Sequence, residues 1–143
     1  MRKKLGVAAV ALVAMLSVAV AVAWAGSPHF VGSPTVTVNS DNSLMVSGKE
    51  AGLGDESQVH ITVTAVAGCI NGGSKHPKAA NKASTTASFN EPVQNGKANY
   101  TLGPISQPTN FQPSCDPPMT VQWLQVTVSD DTNGISATYN GPF

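Results

Sequence analysis

From Thr35 onward, apolar and polar residues alternate with the period of two that a half-buried β-strand requires, and no stretch keeps helical spacing. Thr35-Val36-Thr37-Val38 alternates before a turn at Asp41-Asn42, and Leu44-Met45-Val46 leads to Gly48, with Gly52 and Gly54 breaking the next stretch. Val59, Ile61, Val63, Ala65, Ala67 and Cys69 share one face of a strand, opposite His60, Thr62 and Thr64. This is the clearest core strand in the chain. Residues 84–89 form a weaker, Thr-rich strand. Asn95-Gly96 marks a hairpin because both residues accept positive φ, and Ala98, Tyr100 and Leu102 alternate beyond it.

Pro104, Pro108, Pro113, Pro117 and Pro118 predict an irregular connection over residues 103–118, since proline lacks the donor that helices and central strands need. In the next strand Val121 and Trp123 are in phase, while Leu124, Val126 and Val128 run one residue out of step. A β-bulge near Trp123-Leu124 restores the register. Asp130-Asp131-Thr132-Asn133-Gly134 is the following turn, and Ile135, Ala137 and Tyr139 return. About seven strands at spacings of roughly 8 to 14 residues predict an all-β fold, an antiparallel β-sandwich of immunoglobulin-like type.

A different pattern precedes the strands. Arg2-Lys3-Lys4 leads an uncharged Ala/Val/Leu run that closes with Ala23-Trp24-Ala25, the three parts of a secretory signal peptide. An uncleaved anchor is the alternative, since about 20 apolar residues span a bilayer. Much of this run is weakly apolar Ala, however, and small residues stand where a signal peptidase cuts. The expectation is a leader over residues 1–25, cleaved after Ala25. Residues 26–143 then form one secreted domain, with no membrane attachment once the leader is gone.

Loss of the leader changes the charge. Lys49, Lys75, Lys78, Lys82 and Lys97 remain against Asp41, Glu50, Asp55, Glu56, Glu91, Asp116, Asp130 and Asp131, a formal charge of −3. That sign argues against nucleic acid as a partner, which needs a net basic footprint. Cys69 and Cys115 are the only cysteines, and an oxidising compartment joins such a pair. A metal site would need further Cys or His at ligand spacing, which is absent, so a structural disulfide is expected.

Two segments carry a resemblance. The run from Ser43 through Ala51-Gly52-Leu53-Gly54, and Cys69-Ile70-Asn71-Gly72-Gly73 with Lys75-His76-Pro77-Lys78-Ala79-Ala80-Asn81-Lys82, resemble a family of small uncharacterised secreted proteins of actinomycete-type bacteria. A late Asp131-Thr132-Asn133-Gly134 turn completes the likeness. The resemblance implies export; it implies no activity and brings no catalytic residues with it.

Candidate chemistry concentrates in residues 71–82. Lys75, His76, Lys78 and Lys82 stand there with no acidic residue between Glu56 and Glu91, a local positive patch in an acidic domain. Gly72 and Gly73 free the backbone beside Asn71, so N–H groups can form an anion-binding nest. An anionic cell-envelope polymer or another extracellular protein fits such a patch; a solvated surface loop is the plainer reading of the same residues. His29, His60 and His76 share no ligand spacing, so neither a metal nor any other cofactor is expected.

Ser129 and Asn140 stand where a calcium loop needs its first and last ligands, so residues 130–134 read as a hairpin turn. Nucleophile motifs are missing, and the adjacent pairs Asp55-Glu56 and Asp130-Asp131 point to opposite faces, so no catalytic residue is assigned. Tyr100, Trp123 and Tyr139 would either stack on sugars or, given their apolar neighbours, pack in the core. The expected function is binding by a secreted, non-enzymatic domain. A self-assembling envelope or spore-layer protein and a small extracellular hydrolase are the alternatives.

Overall fold

The computed structural model describes residues 26–71 and 81–143. These form eight strands: β1 (His29–Phe30), β2 (Thr35–Val38), β3 (Leu44–Ala51), β4 (Gln58–Ile70), β5 (Lys82–Pro92), β6 (Lys97–Ile105), β7 (Thr120–Asp130) and β8 (Ile135–Asn140). All pairing is antiparallel. One sheet centres on β3, with β1 and β2 along one edge and β6 on the other; the second has the order β5-β4-β7-β8. Their inner faces meet in one apolar core, a sandwich as the alternation requires.

An eighth strand, β1, precedes the seven expected, and Gly32, at φ 66°, and Pro34 separate it from β2. Both pieces still pair with β3, His29 opposite Ala51 and Thr35 opposite Ser47. The β1 piece is too short to show a period.

The long strand β4 behaves as its pattern demands, with Val59, Ile61, Val63, Ala65, Ala67 and Cys69 all buried. Against it β7 carries one extra residue: Val66 pairs with Gln125 but Ala67 with Trp123, which leaves Leu124 as the bulge. The bulge lets Trp123, Val126 and Val128 all point inward. Asn95 at φ 53° and Gly96 at φ 70° make the expected two-residue hairpin turn.

Two strands run further than their glycines and prolines suggest. β6 continues through Pro104, which an edge strand tolerates because its outer side needs no donor. β3 continues through Gly48 to Ala51, and Gly48 lies opposite Tyr100. A Cβ at Gly48 would overlap the Tyr100 hydroxyl and sit 2.6 Å from Cζ. Tyr100 is itself buried and meets Phe30 edge-on, with centroids 6.4 Å apart. Gly48→Ala is therefore expected to destabilise by about 1–3 kcal/mol through overpacking. Unchanged thermal unfolding of that variant would show that the ring can yield.

The outer face of the second sheet explains the polar 84–89 segment. Registered rows Thr86-Thr64-Thr127-Thr138 and Ser88-Thr62-Ser129-Ser136 cross all four strands. Their hydroxyls pair at 3.2 Å (Thr64–Thr86), 2.9 Å (Thr62–Ser88) and 2.9 Å (Thr127–Thr138). Such cross-strand pairs each contribute about 0.2–1 kcal/mol, enough for a strand with few apolar residues to hold its place.

Antiparallel connectivity gives the sandwich two distinct ends. The connection 52–57, the turn 93–96 and the turn 131–134 cluster at one. At the other lie the turn 39–43, the strand ends at Ile70 and Lys82, and the connection 106–119. There Trp123 Nε1 donates to the Asn42 carbonyl at 2.9 Å, and Cys69 bonds Cys115 across 46 residues of chain.

Candidate functional site

The sequence-predicted loop starts from the disulfide end. Cys69 is buried on β4 and bonded to Cys115 in the connection 106–119, with Cα atoms 5.6 Å apart. The chain then leaves the sheet at Asn71 and rejoins it at Lys82, both exposed. Gly72, Gly73, Lys75, His76 and Lys78 lie outside the described residues. A disulfide between the only two cysteines fits an oxidising, extracellular setting.

The remaining predicted side chains occupy quiet positions. His60 is exposed, its Nδ1 2.8 Å from Asn90 Oδ1, and His29 Nδ1 lies 2.8 Å from the Ser27 carbonyl. Trp123 is fully buried, Tyr100 nearly so, and Tyr139 packs partly buried against the same core, so the aromatics offer no stacking platform. Among the described residues, no group of three His, Cys, Asp or Glu side chains is placed to hold a metal ion.

The opposite end holds what sequence reading missed. Asp130 is not a turn residue but the last inward position of β7, and it is fully buried. Its Oδ1 accepts from the backbone N–H of Thr132 at 2.8 Å and of Asn133 at 3.3 Å; its Oδ2 accepts from Asn133 Nδ2 at 2.6 Å. The same Nδ2 donates to Glu56 Oε2 at 3.1 Å, tying the 52–57 connection to the β7–β8 turn.

Glu50 stands across from this group as the last inward position of β3, also fully buried, and neither of its carboxylate oxygens has a donor. Burial is the main cause that pushes its pKa up to about 8, followed by a side-chain hydrogen bond to Asp130 and by the charges of Asp130 and Glu56. The two facts agree on one protonation state. Ionised Glu50 has nothing to accept from, whereas protonated Glu50 can donate to Asp130. Near neutral pH Glu50 is therefore a carboxylic acid. Tyr100, on β6, is pushed up to about 12, first by burial and then by the Tyr139 and Glu50 charges.

Parity alone points to both residues, since Leu44, Val46, Gly48 and Glu50 share one phase, as do Val126, Val128 and Asp130. A carboxylate at a strand end reads as a terminator, and this hid the signal. No family model, curated protein or solved structure matches the chain.

Proposed function

We infer that this protein is an exported, non-enzymatic β-sandwich of immunoglobulin-like type that binds an anionic partner through the loop of residues 71–82. The partner is a cell-envelope polymer or another extracellular protein that carries clustered negative charge. The strand order supports the immunoglobulin-like reading: the sheet around β3 and the β5-β4-β7-β8 sheet exchange the chain at β3–β4, β5–β6 and β6–β7. The leader pattern, the disulfide and the likeness to small secreted actinomycete-type proteins support export.

The observation that carries the binding proposal is the division of charge between the two ends. Six of the eight acids, Glu50, Asp55, Glu56, Glu91, Asp130 and Asp131, gather at the 52–57 end, with Lys49 and Lys97; only Asp41 and Asp116 lie at the disulfide end. The chain that leaves at Asn71 and returns at Lys82 carries Lys75, His76 and Lys78 and no acid. It is rooted beside a disulfide, so a rigid base supports the contact residues.

The test is co-sedimentation of the mature protein with envelope fragments from its own source. Binding at low salt and release at high salt are expected, since screening weakens exposed charge pairs. The triple variant K75A/K78A/K82A is expected to bind on the order of a hundredfold more weakly, at about 1 kcal/mol per lysine facing an anionic surface. Salt-indifferent binding, or full binding by the triple variant, would remove the loop from the mechanism.

A further inference from the structure

At the 52–57 end, the two sheets meet through acids. Glu50 belongs to the sheet around β3 and Asp130 to the β5-β4-β7-β8 sheet, and both side chains are fully buried where these sheets face one another. The titratable groups acting on Glu50 are Asp130 from β7 and Glu56 from the 52–57 connection, and Tyr100 from β6 senses its charge. Among the described residues no cation offsets them: neither Glu50 oxygen receives a donor, and the neighbouring Lys49 belongs to the opposite face of β3. Asp130 already receives three hydrogen bonds from the turn that follows it. The remaining contact across the sheets needs a hydrogen on Glu50.

We propose that Glu50 and Asp130 form a one-proton lock between the two sheets, which holds the 52–57 end closed while Glu50 carries the proton and loosens that end as rising pH disfavours it. The lock acts locally because the far end is held separately, by the Cys69–Cys115 bond and the Trp123–Asn42 hydrogen bond. Loosening it frees neighbours that depend on β3: Phe30 pairs with Glu50 itself, and the Val31 N–H donates to the Lys49 carbonyl at 2.8 Å.

The direction follows from linkage. In the closed state Glu50 keeps its proton up to about pH 8; once opened to water it titrates near its ordinary value of 4.5. Between those values the open form binds one proton fewer, so opening becomes about tenfold more favourable per pH unit, and it levels off above the upper value.

Amide hydrogen exchange followed residue by residue tests this, after correction for the intrinsic pH dependence of exchange. The reporters are the N–H groups of Val31, Leu53 and Asp131, bonded to Lys49, Gly96 and His60. Their opening is expected to rise about tenfold per unit from about pH 5 to about pH 8 and then to flatten. Asn39 and Gly141, bonded at the far end, are expected to show no such slope. Glu50→Gln, whose amide donates to Asp130 at every pH, is expected to abolish the slope at the reporters. A slope that is absent in the wild type, equal at both ends or retained in E50Q overturns the lock.

Carboxyl 13C titration of the wild type stands independently of how the variant folds. A Glu50 midpoint near 8 supports the proposal, and one in the ordinary carboxylate range overturns it. Millimolar calcium is the last arm. Strong protection by calcium at about pH 9, lost in E50Q, would make the cluster a cation site instead of a proton lock.

Discussion

Replacing Cys69 and Cys115 together by alanine is expected to lower the unfolding free energy by about 4 kcal/mol, a roughly thousandfold fall in the ratio of folded to unfolded chain. The bridge closes 46 residues, and in the chain-entropy account a loop of that length restricts the denatured ensemble far more than it alters the folded one. A domain of this size has a net stability of only about 5–15 kcal/mol, so the double variant should still fold at room temperature yet unfold at clearly lower urea. Cys69 lies against Met119 Sδ at 3.7 Å, so alanine there also loses a small packing contact. Urea unfolding of C69A/C115A beside the wild type reads the effect. A loss under about 1 kcal/mol would mean that residual structure already restrains the unfolded chain between the two positions.

Trp123→Ala is expected to have a comparable or larger effect, for a different reason. Trp123 is the largest fully buried side chain among the described residues, and it packs where both sheets and the 39–43 turn converge. Truncation removes its contacts and leaves a cavity, about 3–5 kcal/mol for a buried tryptophan. It also leaves the Asn42 carbonyl without its side-chain donor, which costs about 1–3 kcal/mol more if water cannot enter. Trp123→Phe separates the two contributions, because it keeps most of the apolar bulk and loses Nε1. The order W123A well below W123F, and W123F below wild type, is expected in thermal unfolding followed by circular dichroism. If both variants unfold within a degree or two of the wild type, the indole is not the keystone of that end.

The pattern of the chain made much of this fold legible. β4 shows six inward positions without interruption, so its core role is plain from alternation. Asn95-Gly96 specifies its own turn by the positive φ that both residues accept. The out-of-phase apolar residues around Trp123 call for one extra residue, and Leu124 is that residue. β1 and the continuation of β6 through Pro104 were illegible, because two residues carry no period and a proline is permitted on one side of an edge strand only.

The candidate sites divide along the same line. The lysines of residues 71–82 are a matter of composition and need no structure to be noticed. Glu50 and Asp130 are legible only as positions in phase with the core, and phase alone does not license burial of a charge. Whether a carboxyl group can occupy such a position depends on what faces it from the other sheet, a fact that no local pattern contains.

By itself, then, the sequence determined the all-β class, the apolar inward positions of β4, β6 and β7, the hairpin turn and the partner of each cysteine. Local steric preference, period-two geometry and the presence of only two thiols are enough for these. Tertiary structure alone decided that β1 and β2 share one edge of β3, and that six of the eight acids gather at the end away from the disulfide. It also decided that Glu50 is buried facing Asp130 with no donor to either of its oxygens among the described residues. These are contacts between residues far apart in the chain, set by how two twisted sheets stack, and the protonation of Glu50 follows from that stacking.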